Sequence, residues 1–177
     1  MKPSLAIISE DGAADGLATT QLLKEGIQSQ SVTVNSLSIK SAINELSEMA
    51  HYDGFIFNQG PSASIQQHEF SQFKQASLSL ADTGAWQNKV AAGLVPLQLS
   101  GMQRITALLD LSMFCARHHM IWVSTEKDEG HDQYNSQAIS GNTVRRMDTL
   151  NSSAEQIAYR FGQKIACVTR LWCDNQT

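Results

Sequence analysis

The sequence predicts a doubly wound α/β sheet: five parallel strands in the order 2-1-3-4-5, with helices on both faces. Three observations predict it. Nearly uninterrupted apolar runs recur along the chain, the pattern of parallel strands covered on both faces. Segments of helical periodicity separate them, so that strand and helix alternate five times. Residues 89–123 give the clearest unit: strand 90–97, a Ser100-Gly101 turn, helix 103–118 and strand 120–123. That is the length of a βαβ crossover. Ligands of such sheets sit outside the carboxyl ends of the strands, which marks the loops there as the candidate site.

Taken in order, residues 5–8 read as the first buried strand and 9–12 as a loop. Residues 15–26 read as a helix closed by Gly26. Alternation at 32–37 gives the second strand, and Ser41 opens a short helix toward Ala50. Residues 52–57 form the third strand, followed by a loop at 59–64. The next helix carries Phe70, Phe73, Ala76 and Leu80 on one side and ends near Gly84. In helix 103–118, Ile105, Leu108, Leu109, Ser112, Met113 and Ala116 form one apolar face. A long polar segment covers 124–150. The last helix spaces Ile157, Phe161, Ile165, Val168 and Trp172 at helical intervals.

At 177 residues the chain fits one domain, residues 1–177, with a substantial core. A net charge of −4 provides no basic footprint, which argues against nucleic acid as a partner. Cys115, Cys167 and Cys173 are odd in number and lack Cys-x-x-Cys spacing, so a reducing compartment fits best. The apolar run at 5–8 is too short for a signal-peptide core, and no run reaches membrane-spanning length. A cytoplasmic location is expected. The acidic run 126–132 lacks calcium-loop spacing and reads as a solvated loop.

A resemblance adds to this frame. Gly101-Met102-Gln103-Arg104, then a helix ending Arg117-His118-His119-Met120-Ile121, resembles a pattern of the flavodoxin-fold NAD(P)H:quinone oxidoreductases of the tryptophan-repressor-binding-protein type. Their pattern is Gly-Gly-Gln-Glu, a helix, then His-His-Gly-Met-Ile. Gly101, Gln103, Met120 and Ile121 match it, and His118 takes the place of the second histidine. Met102, Arg104, Arg117 and His119 depart from it. Ser9-x-x-Gly12, with Asp15, Leu17 and Ala18, is similar to the family's first loop, but Ala13 and Gly16 replace its histidine and threonine. Gln59-Gly60-Pro61-Ser62-Ala63-Ser64 stands where the family has Thr-Pro-Thr-Arg-Phe-Gly-Asn, so no aromatic or arginine remains there.

The resemblance implies a flavodoxin-like fold, FMN as cofactor, NAD(P)H as electron donor and a quinone as acceptor. It implies a homo-oligomer, dimer or tetramer, which Trp86 and the 124–150 segment would suit. Ser9, Gly12, Ala13, Ala14, Asp15 and Gly16 would face the FMN phosphate at a helix amino terminus. Pro61, Ser62 and Ala63 would hold the ring and ribityl chain, and Ser100, Gly101 and Gln103 the pyrimidine edge. His118 would stand near the isoalloxazine ring as the catalytic residue. Local chemistry leaves other readings open. Asp11 or Asp15 can simply cap a helix, Gly-Pro-Ser is an ordinary turn, and a histidine suits a helix carboxyl terminus. The alternative function is a flavodoxin-fold binding or interaction module that has lost flavin and catalysis.

Overall fold

A computed structural model describes residues 2–9, 14–59, 66–95, 100–124 and 153–176. Five strands form its sheet: β1 (Ser4–Ser9), β2 (Thr33–Ser38), β3 (Gly54–Asn58), β4 (Val90–Leu94) and β5 (Ile121–Trp122). They run in the order β2-β1-β3-β4-β5, every pairing parallel, as the apolar runs predict. The helices are α1 (Ala14–Gln28), α2 (Ile39–Asn44), α3 (Gln66–Ala76), α4 (Leu78–Thr83), α5 (Gly101–Arg117) and α6 (Ser153–Asp174).

Successive strand residues point to opposite faces, so each central strand feeds two cores. Ala6, Ile8, Phe55, Phe57 and Ala91 face α2, α3 and α5. Leu5, Ile7, Ile56, Val90 and Ala92 face α1 and α6. The first core is aromatic: Phe114 of α5 meets Phe57 edge-on at 5.5 Å, and Trp86 stacks on Phe73 at 6.0 Å. Such contacts add about 0.5–1.5 kcal/mol each to the burial itself. Trp86 is completely buried in this core, so it does not form the intersubunit contact expected of it.

Three local expectations shift. Gly26 does not close α1, which runs on to Gln28; Ser31 takes the left-handed conformation, at φ 62°. Gly26 is instead an interior residue pressed against α6. Ser38, not Ser41, opens α2, because its side chain accepts the Ser41 N–H. The single helix expected from Phe70 to Gly84 breaks at Ser77 into α3 and α4, and Gly84 closes the second piece at φ 67°.

The largest revision concerns α5. Leu111, Phe114 and Cys115 pack on the sheet, because that stripe brings Phe114 into the aromatic core. The stripe of Ile105, Leu109 and Met113 faces outward. Cys115 therefore lies fully buried, and burial pushes its thiol pKa well up although Lys74 pulls the other way. Alkylation of the native protein at pH 8 should spare Cys115 while modifying the half-exposed Cys167. Mass mapping that finds Cys115 labelled as fast as Cys167 would contradict this packing.

Candidate functional site

Because all five strands are parallel, Ser9, Asn58 and Ser124 leave the sheet on one side, its carboxyl edge. Ser100, opening the helix after β4, lies on the same side. Asn58 ends an otherwise wholly apolar strand and is buried, which requires hydrogen-bond partners. Its amide donates to Thr20 Oγ1 of α1 at 2.9 Å and lies 3.5 Å from Ser9 Oγ. One side chain thus ties the end of β1 and the second turn of α1 to the end of β3. The next residue continues the brace, Gln59 N–H donating to the Leu94 carbonyl of β4 at 2.9 Å.

At the other side of this edge, Ser100 and Gln103 form a reciprocal cap on α5. Ser100 Oγ accepts the Gln103 N–H at 3.3 Å, and Gln103 Oε1 accepts the Ser100 N–H at 3.0 Å. With its hydroxyl and amide so engaged, this pair chiefly fixes where the helix starts. The cap leaves the N–H groups of Gly101 and Met102 without intrahelical partners, at the positive end of the helix dipole. Open space surrounds Gly101: an added Cβ would meet nothing within 4 Å.

Of the sequence-predicted site residues, Ser9, Ser100, Gly101 and Gln103 therefore lie on the carboxyl edge. Ala14, Asp15 and Gly16 form the first turn of α1, just beyond β1 on that edge, with only their backbone described. Gly12, Ala13, Pro61, Ser62 and Ala63 lie outside the described residues, as does most of the 124–150 segment. Asn58 and Thr20 join the edge although neither was singled out as a ligand residue. The available signal was a polar residue ending the apolar run Phe55-Ile56-Phe57.

His118 stands apart. It caps the far end of α5, and the 17 residues of that helix separate it from Ser100 by about 25 Å. It lies near the amino edge, where Asn88 N–H donates to the His119 carbonyl ahead of β5. Within one chain it does not join Ser9 and Gly101. It is 1% exposed, its ring 4.6 Å from Trp86 and 4.8 Å from Phe114. Burial pulls its pKa down to about 4, and Arg117 and His119 add to the shift, so it is neutral at pH 7. Ser77 Oγ donates to the Lys74 carbonyl and lies 3.2 Å from His118 Nε2, so the imidazole proton sits on Nε2. The histidine reads as a core residue, and the helix dipole gains no cation from it.

Polar contacts at the amino edge are structural. Ser4 N–H donates to Asp53 Oδ2 at 2.7 Å, and Lys89 Nζ donates to the carbonyls of Ala50 and Tyr52. Burial lowers the Lys89 pKa, with Asp53 opposing, and burial raises that of Cys173, which hydrogen-bonds Asp53. Among the described residues no group of three metal-binding side chains occurs, and no helix is long and apolar enough to cross a membrane.

No family model and no curated protein matches the sequence. Solved structures do match. A flavodoxin, WrbA-like protein from Agrobacterium tumefaciens superposes with a TM-score of 0.69 over 96% of this chain and 99% of its own, at 14% identity. This chain has the flavodoxin fold. A flavodoxin from the domain Archaea gives a TM-score of 0.57 at 12% identity, covering 94% of this chain and 99% of its own. FerB, a flavoenzyme NAD(P)H:(acceptor) oxidoreductase from Paracoccus denitrificans, gives 0.61 at 8% identity, over 96% and 98% of the two chains. Identities this low establish the flavodoxin fold and leave the chemistry to the site itself.

Proposed function

We propose that the chain binds FMN at its carboxyl edge and acts as an NAD(P)H oxidoreductase, with a quinone as acceptor. One observation carries the reading: the N–H groups of Gly101 and Met102 lack intrahelical partners beside open space at Gly101, on the same sheet edge as Ser9 and Asn58. The groups suit the cofactor. Neutral donors on a rigid sheet edge can hold an isoalloxazine ring, and the amino terminus of α1 can receive a phosphate. FMN held there would supply the redox chemistry, hydride and electron transfer between a nicotinamide and the acceptor. The protein's part is to bind and orient: hydroxyl, amide and backbone groups that neither take nor give a proton. His118 has no place in the single-chain site. A homo-oligomer belongs to this reading.

The departures in the first and third loops favour a second reading, a binding module without flavin. Ala13 and Gly16 forfeit two phosphate contacts of the resembled family, worth roughly 2 kcal/mol or about thirtyfold in affinity. Titration followed by quenching of flavin fluorescence separates the two readings. The wild-type protein should quench FMN, but bind it weakly. Ala13→His with Gly16→Thr should tighten FMN binding by about thirtyfold and leave riboflavin, which lacks the phosphate, unchanged. Absence of quenching by either protein at near-millimolar concentration would select the binding module. Equal gains for both flavins would place the phosphate away from α1.

A further inference from the structure

The outward stripe of α5 is the largest apolar feature that the fold leaves uncovered among the described residues. Met102, Ile105, Leu109 and Met113 are 73%, 61%, 57% and 65% exposed. Their spacing of three, four and four residues aligns them over roughly 17 Å of helix. The stripe runs into an apolar groove of about 280 Å³, floored by Gly93 and Trp122 and walled by Leu108 and Ser112. Beside the groove, β5 is the outermost strand of the sheet and pairs with β4.

We propose that this face is the contact between two copies of the chain, with their α5 helices antiparallel across a two-fold axis. The stripe is chemically self-complementary in that arrangement. An axis midway between Ile105 and Leu109 sets Ile105 of one copy against Leu109 of the other. The same axis brings Met102 to within one residue of Met113. An isologous contact requires this reciprocity. The methionines at the two ends are the side chains best able to adapt to a neighbour's surface. The stripe itself carries no charge, and the one carboxylate on its flank, Asp110, is already paired with Lys74. No charged partner is therefore called for.

Area supports the same occupant. Four large side chains at these exposures, with the groove, make a contiguous apolar patch of several hundred Å², a size that commonly marks an interaction site. Counted on both copies, they approach the roughly 1,000 Å² of a specific interface. The proposal holds whether or not FMN binds.

Light scattering on the purified full chain should give about twice the 19.4 kDa of one chain at micromolar concentration. Leu109→Glu should yield a monomer with an unchanged far-UV circular dichroism spectrum, its dissociation constant raised at least a hundredfold. Ile105→Ser, a milder truncation, should raise the dissociation constant about tenfold. A wild-type monomer at 100 μM would overturn the proposal, as would a dimer that neither substitution weakens. A monomer in which Leu109→Glu abolishes folding would also overturn it, because the chain would then cover the stripe itself. Failure of the flavin titration would leave all of these outcomes readable.

Discussion

Gly162→Ala is expected to lower the melting temperature by roughly 10 °C, through a net loss of about 3 kcal/mol. Gly162 lies in α6 where that helix crosses α1, and an added Cβ would sit 2.3 Å from the Leu23 carbonyl oxygen. The contact is reciprocal: a Cβ on Gly26 of α1 would lie 2.1 Å from the Tyr159 carbonyl oxygen of α6. Both neighbours are helix backbone, which no side-chain rotation can move aside. The helices must separate instead, loosening Leu23, Ile27, Phe161 and Ile165 together in one core. Alanine's better helix propensity returns only about 1 kcal/mol. Gly26→Ala should behave alike. Gly101→Ala is the control, since nothing lies within 4 Å of its added Cβ, and its stability should change by less than about 0.5 kcal/mol. Thermal unfolding of the three variants measures this. A Gly162→Ala protein melting with the wild type would show that α1 and α6 do not cross backbone to backbone.

His118 should make the protein acid-sensitive well before its carboxylates titrate. Its pKa is about 4 in the folded chain against an ordinary 6.5, so between these values the unfolded chain binds a proton that the folded chain refuses. The associated stability is complete above pH 6.5 and is lost as pH falls toward 4, by about 3 kcal/mol at the lower limit. His118→Phe should remove that dependence. Phenylalanine extends the cluster of Trp86 and Phe114, and Ser77 Oγ keeps its bond to the Lys74 carbonyl. Near pH 7 the variant should lie within about 1 kcal/mol of the wild type, the value of the lost hydrogen bond. Near pH 4 it should be the more stable protein by about 2–3 kcal/mol. Urea denaturation from pH 7.5 to pH 4 compares the two. Parallel curves would mean that His118 titrates alike in both states, and so is not buried as described.

Much of the fold was legible because its signals are local. The runs read at 5–8, 52–57 and 90–97 need no partner to be recognised as strands, and their crossover lengths impose a parallel sheet. The Ser100-Gly101 turn put the expected helix start within two residues of α5, whose first turn the Ser100–Gln103 cap fixes. The candidate edge followed from the same logic, since strands of one direction gather Ser9, Asn58 and Ser124 on one side.

The sequence by itself therefore determined the strands, their common direction and the side of the sheet on which their carboxyl ends gather. Only the tertiary structure decided which face of α5 is buried. That helix carries two apolar stripes, and the choice between them rests on the ring contacts of Phe114 with Phe57 and Phe73, residues distant in sequence. It likewise turned Gly26 from a helix stop into a helix-crossing residue, because only α6 reveals the backbone packed against it. His118 followed the same rule. Its neutrality arises from Trp86, Phe114 and Ser77 closing around it, and desolvation belongs to an assembled environment rather than to any stretch of chain.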